Sequence, residues 1–387
     1  MQLTQILATL VCAVAASGPA FAQTQGVTKD QIVIGTIQDL SGPVAAFGKH
    51  VRMGMQMRVD EINEQGGING RKLVLKVEDS GYDPKRAVLA AQKLVDQDQI
   101  FAMVSHTGSA HNVATFPVLF EKNVFNFLPM SASREMYEAP NRFKYAFWAT
   151  YYDQMRMAVP KLAKENGAKK LCAIYQDDEF GIETLRGAEA GAKAMGTELA
   201  EKSGFKRAAT DFSSQVARAK AAGCELVVLG SVVRETIGII AEARKTGFNP
   251  IFLATSAAYL DLIHKLGGKA MDGLYATMTT VNPYVDDADE AVRAWAQKYK
   301  AKYNDEPSAI SAGGYISVDV FAKAAQKAGA NLTPDSFIQA MSSLRLPPNI
   351  FGLAEMTFSD TKRLGNEYAR LSQIQNGRWK VVSDYMK

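Results

Sequence analysis

Short apolar segments alternate along the chain with longer segments in which apolar residues recur at helical spacing. Residues 32–37 and 73–77 predict buried strands, and residues 48–65 between them predict a helix. Further strands are predicted at 100–104, 124–128, 143–150, 171–175, around 198, 225–229, 250–254 and 273–279. Further helices are predicted from 83, from 111, at 152–167, 182–195, from 213 and at 234–246. This alternation is typical of an α/β fold with parallel central sheets.

After Pro283 the helical pattern returns in three segments, at 289–303, 308–328 and 334–344. The chain then ends in two predicted strands, 369–375 and 379–382, joined by the hairpin turn Asn376-Gly377. The 387 residues exceed the usual size of one domain, about 150 residues. Two strand–helix series of similar size, with no Pro- or Ser-rich linker between them, predict two lobes joined by strand crossovers. Ligands of such sheets bind beyond the carboxyl ends of the strands, so we expect the site in the cleft between the lobes.

The first 22 residues contain no charged side chain. An apolar core at 6–16 is followed by Gly18-Pro19 and by the small-residue site Ala20-Phe21-Ala22. This pattern predicts a signal peptide that is cleaved after Ala22, and therefore a soluble, periplasmic mature chain. The alternative is a transmembrane anchor, but the core is shorter than the ~20 apolar residues that span a bilayer.

Composition excludes several classes of protein. Lys and Arg total 44 against 40 Asp and Glu, and no basic run suggests a dedicated nucleic-acid binder. Aromatic and β-branched residues throughout the chain exclude bulk disorder. Cys12 lies in the predicted signal, which leaves Cys172 and Cys224 near the starts of two strands. They could pair in an oxidising compartment, but we favour two small, buried, unpaired residues.

Signatures of enzymes are absent from the sequence. It has no phosphate-binding loop, no G-x-G-x-x-G after the first strand and no G-x-S-x-G elbow. His106 and His111 do not have the spacing of a zinc helix. The acidic cluster at 177–179 is more consistent with a helix cap than with a metal site. We therefore predict a protein that is not an enzyme, with no catalytic residue, no metal and no cofactor.

The predicted strand ends carry hydroxyl groups instead. Polar loops at 40–43, 105–109 and 129–133 follow the first, third and fourth strands and precede helices or turns. Hydroxyls and free N–H groups at helix starts suit a carboxylate, although Ser and Thr also serve there simply as caps. Three such loops at one sheet edge favour anion binding.

The sequence resembles the type I periplasmic solute-binding proteins of ABC transporters, in the branched-chain amino acid-binding (Leu/Ile/Val-binding) family. The residues that carry the resemblance are Ser41-Gly42-Pro43-Val44-Ala45-Ala46-Phe47-Gly48, Asp60-Glu61-Ile62-Asn63, Gly66-Gly67-Ile68-Asn69-Gly70, Asp79, Asp83-Pro84, Asp178-Glu179-Phe180-Gly181, Asp211-Phe212 and Gly313-Gly314-Tyr315. The resemblance implies two Rossmann-like lobes joined by three crossovers, with residues 27–150 and 281–352 in lobe 1 and 151–280 and 353–387 in lobe 2. It also implies a monomer that closes on a small molecule and docks to a membrane permease.

The resemblance places one end of a ligand site. Ser109 corresponds to the residue that grips the ligand's carboxylate, and the next loop contributes Met130, Ala132 and a hydroxyl from Ser131 or Ser133. The flanking aromatic residues correspond to Phe47 in the first lobe and Phe180 in the second, and Tyr151 lies at the crossover.

The other end departs from the family. Amino acid binders hold the ligand's ammonium with an acidic residue and an aromatic hydroxyl. This sequence has Ser256 at the position of the acidic residue and Val232 at the position of the aromatic hydroxyl, so it lacks both groups. Burying an ammonium group without a counter-charge costs several kcal/mol. Trp148 stands where an arginine is common. An apolar, aromatic-lined cleft of this kind suits an aromatic or aliphatic acid without an α-amino group.

We therefore expect the substrate-binding component of an ABC importer for a small carboxylate. Two alternatives stay open from the sequence: uptake of a branched-chain or other amino acid, and a periplasmic sensor that presents its ligand to a signalling receptor.

Overall fold

A computed structural model describes residues 24–139 and 141–387. The predicted signal peptide lies outside these residues. The first half of the chain alternates strands and helices: β1 (Gln31–Gln38), α1 (Ala45–Glu64), β2 (Lys72–Asp79), α2 (Pro84–Gln92), β3 (Ala102–Val104), α3 (Ser109–Glu121), β4 (Phe125–Phe127) and β5 (Lys144–Tyr145). The five strands form a parallel sheet in the order β2-β1-β3-β4-β5. This sheet and its helices are called lobe 1.

A second series follows: α4 (Tyr151–Asn166), β6 (Leu171–Gln176), α5 (Glu179–Ala194), β7 (Leu199–Phe205), α6 (Ser213–Ala221), β8 (Leu226–Gly230), α7 (Val233–Lys245), β9 (Ile251–Ala254), α8 (Leu262–Gly267) and β10 (Tyr275–Met278). Strands β6–β10 pair in parallel in the order β10-β9-β8-β6-β7. They form the central sheet of lobe 2.

The last segment contributes to both lobes. Its elements are α9 (Glu290–Tyr303), α10 (Ala309–Ala328), α11 (Pro334–Ser342), the short antiparallel pair β11 (Arg345–Leu346) and β12 (Met356–Thr357), and the hairpin β13 (Arg370–Gln375) and β14 (Arg378–Val381). Helix α10 packs on α1 in lobe 1, whereas β13 adds antiparallel to β10 in lobe 2. The chain thus passes between the lobes three times: before α4, before α9 and before β13.

The ends of several elements follow from local chemistry. The Asp83 carboxylate accepts hydrogen bonds from the N–H groups of Lys85 and Arg86, with Pro84 at the first helical position, as the sequence predicts. Asn376 and Gly377 both have positive φ, at 52° and 69°, so the β13–β14 turn takes the backbone form that favours Asn-Gly.

The structure corrects the prediction for the two cysteines of the second lobe. Cys172 and Cys224 form a disulfide, with their Cα atoms 5.9 Å apart. The preference for unpaired residues was wrong because β6 and β8 are neighbours in the sheet, and Cys224 lies just before β8, beside the start of β6. Sequence spacing does not reveal this adjacency.

Other elements also differ from the sequence prediction. The strand predicted at 143–150 is reduced to β5, because the chain leaves the sheet for the crossover after Tyr145. The sequence pattern also missed α8, which is only six residues long.

The residue ranges of the two lobes stay a prediction. Phe358 lies just after the predicted boundary at 352/353, and the centre of its ring is 5.6 Å from that of Tyr145 in lobe 1. Within the described residues, no helix is both long and apolar enough to cross a membrane.

Candidate functional site

Two adjoining hollows lie where the carboxyl ends of the strands in the two lobes face each other. Both are lined by Phe47, Met130, Tyr151 and Ala257, so they are two parts of one cleft. All nine residues predicted for the ligand site line this cleft: Phe47, Ser109, Met130, Ser131, Ala132, Tyr151, Phe180, Val232 and Ser256. The hollows are small, with cavity volumes of about 30 and 20 Å³.

One end of the cleft is built from the start of α3 and the loop after β4. The Ser109 and Ser131 hydroxyl oxygens are 2.9 Å apart, and both side chains are buried. The first-turn N–H groups of Ser109, Ala110 and His111 have no acceptor among the hydrogen bonds of the described residues. A helix start with free N–H groups and two hydroxyls is chemically suited to a carboxylate.

Gly108 allows the loop before α3 to pack closely against the first turn of that helix. Its φ is 95°, and a Cβ atom there would lie 2.4 Å from the His111 Nδ1 atom. A side chain at this position would therefore be strained and would push His111 away from the helix start.

Each lobe contributes one Phe-Gly pair at the start of a helix. The two glycines sit against the strand ends: a Cβ atom on Gly48 would lie 2.0 Å from the Asp39 carbonyl oxygen, and one on Gly181 would lie 1.8 Å from that of Gln176. This close packing fixes the preceding residues, Phe47 and Phe180, at the cleft. The Phe180 ring meets the Tyr151 ring edge to face at 4.8 Å.

The opposite end of the cleft holds Val232 and Ser256. The Ser256 hydroxyl accepts a hydrogen bond from Gln154 Nε2 at 2.9 Å, and the Ser256 N–H donates to Gln154 Oε1 at 3.0 Å. Thr277 also donates to this Oε1 atom, at 2.6 Å. The buried Gln154 amide of the second lobe therefore holds Ser256 in place. Val232, at the same end of the cleft, has no polar side chain.

Several lining residues were not predicted from the sequence as ligand contacts: Val44, Tyr82, Thr107, Gly108, Trp148, Ala257 and Ile310. Thr107 and Gly108 belong to the hydroxyl loop and could have been included. Trp148 was noted only as a departure from the family; its indole Nε1 is buried without an acceptor in the described residues. Tyr82 and Ile310 reach the cleft from distant segments, and no local pattern marks them.

No lining residue of the two hollows is charged. Burial raises the pKa of Tyr151 to about 12, so its hydroxyl keeps its proton at neutral pH and can donate. In the first turn of α3, burial and the nearby Arg207 charge lower the pKa of His111 to about 4, so this ring stays neutral at neutral pH. The residues that line the two hollows therefore offer hydrogen bonds and apolar contacts.

Charged residues outside the cleft link the lobes. Arg134 of lobe 1 makes a bidentate ion pair with Glu183 on α5. Arg207 of lobe 2 pairs with Asp178 at 2.6 Å and lies 5.4 Å from the centre of the Tyr82 ring of lobe 1. These contacts describe lobes closed on each other.

The described part of the chain has no group of three or more His, Cys, Asp or Glu residues placed to hold a metal ion. The cluster at 177–179 includes Asp178, whose carboxylate accepts from the N–H groups of Phe180 and Gly181 and so caps α5. This is the cap that the sequence favoured over a metal site.

Comparison with known proteins agrees with this architecture. A family model described as "Periplasmic binding protein" matches residues 31–378. The leucine-, isoleucine-, valine-, threonine- and alanine-binding protein of Pseudomonas aeruginosa is 26% identical over 340 residues, which cover 87% of this chain and 88% of that protein. The Leu/Ile/Val-binding protein homolog 3 of Brucella melitensis is 27% identical over 368 residues, covering 94% and 97%.

Solved structures share the fold. A possible leucine/isoleucine/valine-binding protein from Rhodopirellula baltica superposes with a TM-score of 0.83 at 20% identity, covering 94% of this chain and 98% of that one. A fatty acid ABC transporter substrate-binding protein from Thermomonospora curvata gives 0.84 at 22% identity, covering 94% of both chains. The predicted family and the α/β fold of two parallel-sheet lobes are confirmed.

Proposed function

The chain belongs to the type I periplasmic binding proteins, in the Leu/Ile/Val-binding family, and on this premise we propose that its ligand is a small carboxylate without an α-amino group. Proteins of this family bind solutes for ABC transporters and are not enzymes, so the prediction of no enzymatic activity is confirmed.

The observation that carries the proposal is the difference between the two ends of the cleft. At one end, Ser109, Ser131 and the start of α3 offer hydroxyl and N–H donors. At the other end, Val232 is apolar and Ser256 is bonded to Gln154. A carboxylate would gain charge-assisted hydrogen bonds at the first end. An ammonium group at the second end would lose its water and meet no carboxylate, which costs several kcal/mol.

Uptake of an amino acid is the second candidate, because the relatives from Pseudomonas aeruginosa and Brucella melitensis carry amino acid names. The absence of a charged side chain among the lining residues of the two hollows weighs against it.

Matched ligand pairs separate the two candidates. Calorimetric titration of residues 23–387 would compare 4-methylpentanoate with leucine and 3-phenylpropanoate with phenylalanine, pairs that differ only by the amino group. We expect the amino-free acids to bind at least about tenfold more tightly, which corresponds to 1.4 kcal/mol. Tighter binding of leucine or phenylalanine would reject the proposal in favour of amino acid uptake.

We also propose that the signal is cleaved after Ala22 and that the mature chain acts in the periplasm as a monomer, delivering its ligand to a membrane permease. The intact mass of the protein purified from periplasm tests the cleavage. Cleavage after Ala22 predicts the mass of a chain that begins at Gln23. Light scattering behind a sizing column tests the monomer.

A further inference from the structure

We propose that the ligand's apolar tail leaves the cleft through a side groove between the lobes, so that the substrates are carboxylates with an extended alkyl or aryl tail. This inference rests on the proposed function and names the part of the ligand that the cleft itself does not hold. The side groove is the apolar cavity next to the cleft, lined from lobe 1 by residues 43, 44, 46 and 47 and from lobe 2 by residues of α7, α8 and the turns before them.

The groove is continuous with the cleft. Val44, Phe47, Val232 and Ala257 line both the cleft and the groove. The sequence resemblance places Val232 at the position where amino acid binders make an ammonium contact. At that point this chain has an apolar wall that opens into further apolar space.

Volume decides where a tail can lie. The hollows of about 30 and 20 Å³ hold only a few water-sized positions, since one water needs roughly 10–15 Å³ on this measure. That is space for a carboxylate group. The side groove has about 320 Å³, and an apolar cavity of about 150 Å³ is enough for a benzene ring. A tail of several methylene groups or a ring therefore fits the groove and not the cleft.

The chemistry of the groove suits a tail. Ile237, Leu260, Leu262 and Leu266 supply its second-lobe wall, and Leu266 is 68% exposed. Its charged lining residue, Arg234, is already paired with Glu235 at 2.9 Å. Because the two walls belong to different lobes, the groove is complete only when the lobes are closed. A ligand that fills both the cleft and the groove would therefore stabilise the closed form more than a short acid does.

The test is a chain-length series. Calorimetric titration of residues 23–387 with straight-chain acids from butanoate to decanoate should show affinity rising about fourfold per methylene until the groove is filled. Ala46→Trp places an indole in the groove from the lobe 1 side. This variant should bind butanoate as the unmodified chain does, but its affinity should not rise with the chain length of the acid.

A matched pair of leucines supplies the control. Leu266 and Leu89 are exposed to the same extent, 68% and 66%, but Leu89 lies on α2 and does not line the groove. Leu266→Gln should weaken decanoate binding several-fold, and Leu89→Gln should not change it.

The outcomes separate this inference from the proposed function. Binding of short acids with no gain in affinity along the series, or an unchanged gain in Ala46→Trp, overturns the groove and leaves the carboxylate proposal standing. Failure of every carboxylate to bind overturns both. An unchanged series in Leu266→Gln, with reduced uptake by the reconstituted transporter, would assign the groove to permease docking and overturn the inference.

Discussion

Arg134 of lobe 1 and Glu183 of lobe 2 are joined by two hydrogen bonds of 2.8 Å, from Nε to Oε2 and from Nη2 to Oε1. The Glu183 side chain is only 2% exposed, whereas Arg134 is 25% exposed and also stacks over the Tyr152 ring at 4.1 Å. The pair spans the two lobes, so lobe opening must break it.

Replacing Arg134 tests its role in closure. In Arg134→Gln, lobe closure would bury Glu183 without its bidentate partner, and a hydrogen bond to a charged group is worth about 1.5–3 kcal/mol. We expect ligand affinity to fall at least about tenfold, and small-angle scattering with ligand to show a larger population of open molecules.

Arg186 provides the matched control because it contacts the same carboxylate, at 3.4 Å, from the same helix. Arg186→Gln leaves the link between the lobes intact and should preserve affinity. Equal losses in both variants would contradict a role for Arg134 in closure.

The second prediction concerns the end of the cleft that Ser109, Ser131 and the start of α3 form. Ser109→Ala removes one hydroxyl and should weaken carboxylate binding at least about tenfold, because a hydrogen bond to a charged group is worth about 1.5–3 kcal/mol. Ser133→Ala is the control, since the Ser133 hydroxyl donates to Glu135 and does not line the cleft. Titration calorimetry measures both. An unchanged affinity in Ser109→Ala would remove this residue from the proposed site.

Third, the close packing of the glycine in each Phe-Gly pair predicts that a side chain at that position destabilises the protein. A methyl group at Gly181 overlaps the Gln176 carbonyl oxygen at 1.8 Å, so Gly181→Ala should cost about 1–3 kcal/mol of unfolding free energy and displace Phe180. Gly204 is the matched control, because a Cβ atom there meets its nearest neighbour at 3.6 Å. Urea titration measures both variants. Equal stability of the two would show that the helix start can shift without cost.

The fourth prediction is a dependence of stability on pH. The pKa of His111 is about 4 in the folded protein, because of burial and the Arg207 charge, whereas an unfolded histidine titrates near about 6.5. Above pH 6.5 both states are neutral and the contribution of His111 is fully present. As pH falls from about 6.5 to 4, only the unfolded chain gains the proton, so stability is lost.

Between pH 7 and pH 5 this histidine should therefore reduce the free energy of unfolding by about 2 kcal/mol. His50, His106 and His264 also have lowered pKa values and act in the same direction. Urea titrations of His111→Phe at both pH values should show a correspondingly smaller loss. A loss equal to that of the unmodified chain would contradict the assignment.

Fifth, the disulfide should stabilise lobe 2 without affecting the site. It closes a loop of 52 residues, for which chain entropy gives about 4 kcal/mol. Replacing Cys172 and Cys224 together with Ala should lower the unfolding free energy by about 2–4 kcal/mol and leave ligand affinity unchanged. Thermal unfolding with and without reductant checks this result: reductant should destabilise only the unmodified chain.

The sequence predicted those parts of the molecule whose causes are local. The helix start at Asp83-Pro84 and the turn at Asn376-Gly377 depend on neighbouring residues, and both were found. Phe47, Ser109 and Phe180 belong to short motifs at strand ends. The parallel sheet then brings those ends to one edge, so the predicted site residues meet in one cleft.

The features that the sequence did not predict depend on distant partners. Arg134 and Glu183 are 49 positions apart and meet only when the lobes close. Cys172 and Cys224 pair because of strand order, which apolar periodicity does not encode. The side groove needs α8, a helix too short for periodicity to reveal, together with Ala46 from the other lobe.

The hairpin β13–β14 has a consequence for how the protein is made. Strand β13 covers the edge of β10, yet about 90 residues, which include the helices α9, α10 and α11, are synthesised between them. The sheet of lobe 2 therefore stays open at β10 until the last part of the chain has been synthesised and β13 has paired with it. A chain truncated before Arg370 would expose that edge to other strands, so incomplete translation products should aggregate and be degraded rather than accumulate.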